Sequence, residues 1–134
     1  MSKLLQESDA TGRTAEIYAE IKEAFGGIIP NFFKALGAAD ETWLELNWQR
    51  EKTIMLNETA LDRKTKELIA MATCINNNTQ YCAKAHETLA RMYGATDAEV
   101  VDAKKTVELF TSFGRMMTGL DVPIDITPEM LENN

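Results

Sequence analysis

Residues 31–122 contain no proline. Proline removes a backbone donor and clashes inside a helix, so a long stretch without it leaves the chain free to run through successive helices. The same stretch lacks sustained alternation of apolar β-branched and polar residues, the mark of half-buried strands. The sequence therefore predicts an all-α bundle of about six or seven helices packed into an oligomer, with one domain over 1–134, a core over about 29–122 and a tail over 123–134.

Local signals divide the bundle. Ala15, Tyr18, Ile21 and Phe25 keep helical spacing over 14–25, and Gly26 and Gly27 stop that helix. Pro30 opens a short second helix, and Gly37 reads as the stop just past its end. Asp40 caps a third, with Trp43, Leu44 and Trp48 behind it, fading near Asn57. Thr59 or Asp62 starts a fourth. Its segment 68–75 is apolar nearly all round, which predicts burial on every side, by a central position or by an oligomer. Asn76, Asn77 and Asn78 read as turn formers. A fifth helix spans 79–93, stopped by Gly94. Thr96 and Glu99 form a capping box for a sixth, and 107–120 continues as helix. Thr127 and Pro128 cap a final short turn. The Trp43/Trp48 and Met116/Met117 pairs read as core or interface packing.

Composition removes several functions. With 14 Lys+Arg against 21 Asp+Glu the net charge is −7, and no basic stripe with interleaved aromatics is present, which argues against nucleic acid as a partner. No apolar run approaches the roughly 20 residues that cross a bilayer, so no membrane is expected. The opening residues, MSKLLQESDATGR, have no apolar signal core. Two cysteines, Cys74 and Cys82, are too few for a disulfide framework. The expected location is cytoplasmic, with both thiols reduced.

The chemistry-bearing residues concentrate in one region. His86, the single histidine, lies four residues after Cys82, so both project from one helical face, in a stripe of Cys82, Ala85, His86, Leu89 and Tyr93. Cys82 falls in the first turn of its helix. There the free amides, the helix dipole and a neighbouring imidazolium predict a thiol pKa below the usual ~8.5. Antiparallel pairing about the Asn turn sets Glu67 opposite His86, which gives an orienting carboxylate, a base and a nucleophile in series. Each residue also has a plain reading: Cys82 as a small core residue, His86 as a satisfied core or interface side chain, and Glu67 as the partner of Arg63 on a solvated face. Cys, His and Glu are legitimate zinc ligands, but no second His or Cys-X-X-Cys supports a metal.

The stretches Thr65-Lys66-Glu67-Leu68-Ile69-Ala70-Met71-Ala72, Tyr81-Cys82-Ala83-Lys84-Ala85-His86 and the segment from Leu89 to Val100, together with Ile29-Pro30-Asn31-Phe32, resemble the carboxymuconolactone decarboxylase/alkylhydroperoxidase D (AhpD-like) superfamily. The resemblance runs from about 29 to 122 and is strongest over 65–100. It implies an all-helical fold, trimers or hexamers, and a cofactor-free thiol peroxidase. The peroxidase branch carries Glu, then Cys-X-X-Cys-X-X-X-His. Its glutamate falls on Glu67, its activated second cysteine on Cys82 and its histidine on His86, with Thr79 and Tyr81 as supporting positions. Its first, disulfide-exchanging cysteine falls on Thr79, so the redox pair is broken.

Two subsidiary expectations follow. Straight antiparallel helices about 8–10 Å apart put the Cys74 and Cys82 Cα atoms roughly 10 Å apart, beyond disulfide reach, so Cys74 reads as core. Thr79 reads as an N-cap, with hydrogen bonding of its hydroxyl to the Cys82 thiolate or a bound peroxide as the alternative. The leading functional expectation is reduction of hydroperoxides through Cys82, His86 and Glu67 with an external thiol or protein reductant. A lyase acting on a small carboxylate lactone and a non-catalytic helical oligomer are the rivals.

Overall fold

The structure, a computed structural model, describes residues 3–131. These form six α-helices and no strand: α1 (Gly12–Ala24), α2 (Asn31–Ala39), α3 (Glu41–Glu51), α4 (Arg63–Asn76), α5 (Gln80–Met92) and α6 (Asp97–Gly119). Short 3-10 turns lie at Glu7–Asp9 and Pro128–Leu131, and a π-helical stretch, Lys52–Leu56, extends α3. The last three residues of the expected tail lie outside the described residues. No described helix is long and apolar enough to cross a membrane. The helices group into two compact units, divided between Leu61 and Asp62.

In the first unit α1 and α2 pack on α3. Ile17, Tyr18 and Ile21 from α1, Phe33 and Leu36 from α2, and Leu44 and Trp48 from α3 form the core, joined by Ile29 from the connecting loop. Three- and four-residue spacings put each set on one face of its helix. Full burial of such side chains stabilises by roughly 1.5–3 kcal/mol each. The Trp48 ring meets Phe33 edge-on, and its Nε1–H donates to Glu20 at 2.7 Å, so the one polar atom of this indole is satisfied. Asp40 caps α3 by accepting from the Trp43 amide at 2.7 Å. Trp43 itself is 54% exposed, so of its two expected roles, core or interface, the core one does not hold within this chain. Five residues of helix rotate it well away from the face that carries Trp48.

Gly37 is not the stop of α2; the helix runs through it to Ala39. What requires glycine here is a neighbour. A Cβ at this position would lie 2.5 Å from the Tyr18 hydroxyl oxygen, and that buried hydroxyl is held in place by donating to the Leu5 carbonyl.

The second unit builds on α4, with α5 folded back along one side and α6 packed on another. Asp62 caps α4 by accepting from the Thr65 amide at 2.7 Å. Thr96 and Glu99 make both bonds of the capping box of α6. Met71, Ala90, Ala95 and Val100 form the core, with Leu68, Ile75 and Ala103 against it. Lys64 bonds Glu99 at 2.8 Å, and the Thr111 hydroxyl donates to Asn76 Oδ1 at 2.9 Å, so α4 is tied to α6 near both its ends. Asn76 is thus a helix-to-helix contact as well as the last residue of α4. The turn conformation proper falls on Asn78, whose φ is +59°.

The expectation that 68–75 is buried on every side does not hold within this chain. Of α4 only Glu67 and Met71 are buried, and Ile69 is half exposed. An apolar run sets the demand for cover, whereas this chain supplies α5 and α6 on only part of the circumference. Met116 and Met117 lie on the distal half of α6 and are likewise exposed.

Overpacking Gly37 is expected to cost about 1–3 kcal/mol, against about 1 kcal/mol gained from the helix preference of alanine. Gly37→Ala should therefore lower stability in urea unfolding. In a Tyr18→Phe background the same substitution should become neutral or stabilising. An equal effect in both backgrounds would show that the Tyr18 hydroxyl is not the obstacle.

Candidate functional site

Glu67 sits one turn into α4 and is fully buried. A carboxylate there requires compensation, because removing an ion from water costs several kcal/mol. Two side chains provide it. Arg63, four residues earlier on the same helix, donates from Nε to Oε1 at 2.6 Å. His86, near the middle of α5, donates from Nδ1–H to Oε2 at 2.7 Å. The antiparallel pairing of Glu67 with His86 is thus realised. The Arg63 pairing exists as well, but in the interior, not on a solvated face. The Arg63 guanidinium lies over the Tyr93 ring at 4.8 Å, a cation–π contact that covers its charge. Its Nη2 is buried with no hydrogen-bond partner among the described residues.

A carboxylate bound to Nδ1 fixes both the tautomer and the plane of the ring, and presents Nε2 as the free basic nitrogen. Cys82, one turn earlier on α5, shares this face. His86 keeps about a quarter of its side-chain surface exposed, and Cys82 is half-buried. Among the described residues the ring makes no hydrogen bond to the Cys82 sulfur.

Cys82 is the third residue of α5, as expected, yet its thiol pKa is shifted upward. Burial is the largest cause, with a smaller contribution from the Cys74 thiol. The expected depression is therefore overturned. The imidazole Nδ1 is engaged by Glu67, and loss of water around the sulfur opposes its ionisation.

Cys74, expected as core, lies on the Glu67 and Met71 side of α4 at helical spacing and is only half-buried. Thr79 closes the turn that follows it. It occupies the N-cap position of α5 but makes no side-chain cap bond. Its amide and its hydroxyl both donate to the Cys74 carbonyl oxygen, at 2.9 and 3.1 Å. The N-cap reading therefore holds for the position and not for the side chain, whose hydroxyl serves neither the α5 amides nor the Cys82 sulfur. With the Asn78 amide donating to the Ile75 carbonyl at 3.0 Å, the two Thr79 bonds close the C-terminus of α4. Tyr81 stands in the same first turn, more than half exposed.

Arg63 is the participant that sequence reasoning underweighted; its signal is the four-residue spacing from Glu67. A groove of about 500 Å³ lies between α4 and α6, lined by Leu68, Ile69, Ala72, Ala103, Val107 and Phe110 among others; it includes none of Glu67, Cys82 and His86. No group of three or more His, Cys, Asp or Glu among the described residues is arranged to hold a metal ion.

The model of the carboxymuconolactone decarboxylase family matches residues 37–123. The fold is also similar to the crystal structure of the alkylhydroperoxidase AhpD core from Rhodospirillum rubrum ATCC 11170. The two share 28% sequence identity and a TM-score of 0.87, with 93% of each chain covered. No curated protein matches the chain. The chain belongs to the carboxymuconolactone decarboxylase family.

The raised thiol pKa fixes a sign. The unfolded chain gives up this proton first, so the thiol's contribution to stability is present below its ordinary value and falls as pH rises past about 8.5. The rate of Cys82 alkylation by iodoacetamide, read by peptide mass spectrometry, should rise through a midpoint above about 8.5. A midpoint near neutrality would contradict the desolvated site.

Proposed function

We propose that this member of the carboxymuconolactone decarboxylase family is a thiol peroxidase that reduces hydroperoxides at Cys82. The observation that carries the proposal is the Glu67–His86 bond, one helical turn from a half-buried cysteine on the same face. The likeness to a structure named as an alkylhydroperoxidase core supports the same chemistry.

The Cys82 sulfur attacks the terminal oxygen of ROOH. The O–O bond breaks, the sulfur becomes a sulfenic acid, and the alkoxide leaves as ROH. Because burial holds the thiol protonated, its proton must leave during the encounter. His86 Nε2 accepts it and returns it to the leaving oxygen, while Glu67 stabilises the imidazolium. An external thiol then reduces the sulfenic acid, releasing water, and a second thiol completes a disulfide with the first. Such a reductant fits a reducing compartment such as the cytoplasm. No step calls on a cofactor.

Assembly belongs to the proposal. Phe110, Phe113, Met116, Met117 and Leu120 on α6 are large, apolar and exposed. Contiguous surface of this kind is uncommon on monomers. It suits the trimer or hexamer that the sequence resemblance implies.

Peroxide consumption with dithiothreitol as reductant tests the reading. Cys82→Ser should abolish it. His86→Ala should lower it by about 100-fold, the lower end of what a positioned general base contributes. Peroxide consumption that survives in Cys82→Ser would overturn the proposal. Turnover of a small carboxylate lactone by Cys82→Ser would favour the lyase reading.

A further inference from the structure

We propose that Arg63 is a positioning residue of this site, whose charge offsets that of Glu67 and so leaves His86 free to act as a base. The inference rests on the reading of His86 as the acceptor of the Cys82 proton and adds what keeps the ring able to accept it.

A carboxylate bonded to an imidazole does two things. It fixes the tautomer, and it also stabilises the protonated ring, because an anion within about 4–6 Å favours the cation. A buried carboxylate does the second most strongly, since little solvent screens it. A ring held as imidazolium already carries a proton on Nε2 and cannot take the one from Cys82. Glu67 is fully buried and bonded to His86 Nδ1 at 2.7 Å, so a base at this position requires something that limits the pull of the carboxylate. Arg63 meets that requirement. Its Nε donates to Oε1 at 2.6 Å while His86 holds Oε2, so the guanidinium and the imidazole divide the two oxygens between them. The guanidinium keeps its charge at every working pH. Arg63 and Glu67 together are close to neutral, and the ring gains its orienting bond without an uncompensated anion beside it.

The way Arg63 is held points to its charge more than to its packing. Among the described residues it grips the carboxylate through Nε alone, without the two-bonded fork that arginine often forms with a carboxylate. Its Nη2 is buried with no acceptor among the described residues, an arrangement that costs stability. The Tyr93 ring, 4.8 Å from the guanidinium, covers the cation without neutralising it. The titratable groups along the α4–α5 seam are Arg63, Glu67 and Cys74 from α4, and Cys82, His86 and Tyr93 from α5. Helical rotation turns Lys66 about 100° from Glu67 and Lys84 about 200° from His86. Toward α6, Lys64 pairs with Glu99, Lys104 with Glu87, and Arg91 with Glu87 and Asp97. Those cations are committed to other carboxylates, and Arg63 is the one bonded to Glu67.

The test titrates His86 in the full-length chain by long-range ¹H–¹⁵N correlation, read at Nε2, with folding checked by circular dichroism. Because Glu67 and His86 share a proton across one bond, the midpoint belongs to the pair. Arg63→Met and Arg63→Gln both remove the charge, and the glutamine retains a donor for Oε1. Each should raise the pH at which Nε2 takes up its proton by about one unit or more. Arg63→Lys keeps the charge and should stay close to the wild type. The acid limb of peroxide consumption should move upward with the titration, and the rate should recover at higher pH. An unchanged midpoint in Arg63→Gln would overturn the proposal, whether or not Arg63→Met folds. A shift in Arg63→Lys as large as that in Arg63→Gln would overturn it as well, since shape and not charge would then be responsible. Absence of peroxide consumption in the wild type would overturn the peroxidase reading instead, with the titration still deciding what Arg63 does to the ring.

Discussion

The second unit of this protein is organised around one buried carboxylate. Glu67 has no access to water, and it is held from one side by Arg63 at 2.6 Å and from the other by His86 at 2.7 Å. Such a group is tolerated only when its lone pairs are engaged by cations or donors. The engagement therefore fixes the geometry around it. Arg63 is committed along α4 and lies over the Tyr93 ring. His86 is committed across the seam to α5, which sets the register of the two helices and the plane of the imidazole. Apolar residues in place of the whole buried set would serve packing equally well or better, whereas loss of Glu67 alone would strand the Arg63 charge. The retention of a carboxylate is best understood through what it does to the ring.

The behaviour of Cys82 follows from the same commitment. A helix N-terminus and a nearby histidine both favour a thiolate in principle. Here the imidazole Nδ1 is bonded to the carboxylate, and the sulfur is partly stripped of water. Desolvation wins, and the thiol is held in its neutral form. Under the proposed function, such a site relies on a base acting during the encounter with substrate more than on a standing thiolate.

Much of this was legible in the sequence, for reasons that differ by residue. The caps at Asp40, Asp62 and Thr96 are local bonds between a side chain and an amide three residues on, so sequence spacing determines them. The Glu67–His86 pair was legible because a short turn between antiparallel helices lets one count outward from the pivot. Gly37 and Thr79 were misread because their roles depend on what approaches from elsewhere. Gly37 faces a tyrosine from another helix, and Thr79 reaches back five residues to a carbonyl. The exposure of α4 was not legible either, since a run of apolar residues records that cover is needed and not what provides it.

The central claim is that Glu67 fixes His86 with its proton on Nδ1, leaving Nε2 bare as the base. His86 is the single histidine of the chain, so its imidazole nitrogens give an unambiguous signal in long-range ¹H–¹⁵N correlation spectra. The account predicts the Nδ1–H tautomer for the neutral ring in the wild type, and its loss or mixing in Glu67→Gln. A neutral ring protonated on Nε2 in the wild type would contradict it, because the nitrogen assigned to accept the Cys82 proton would already carry one.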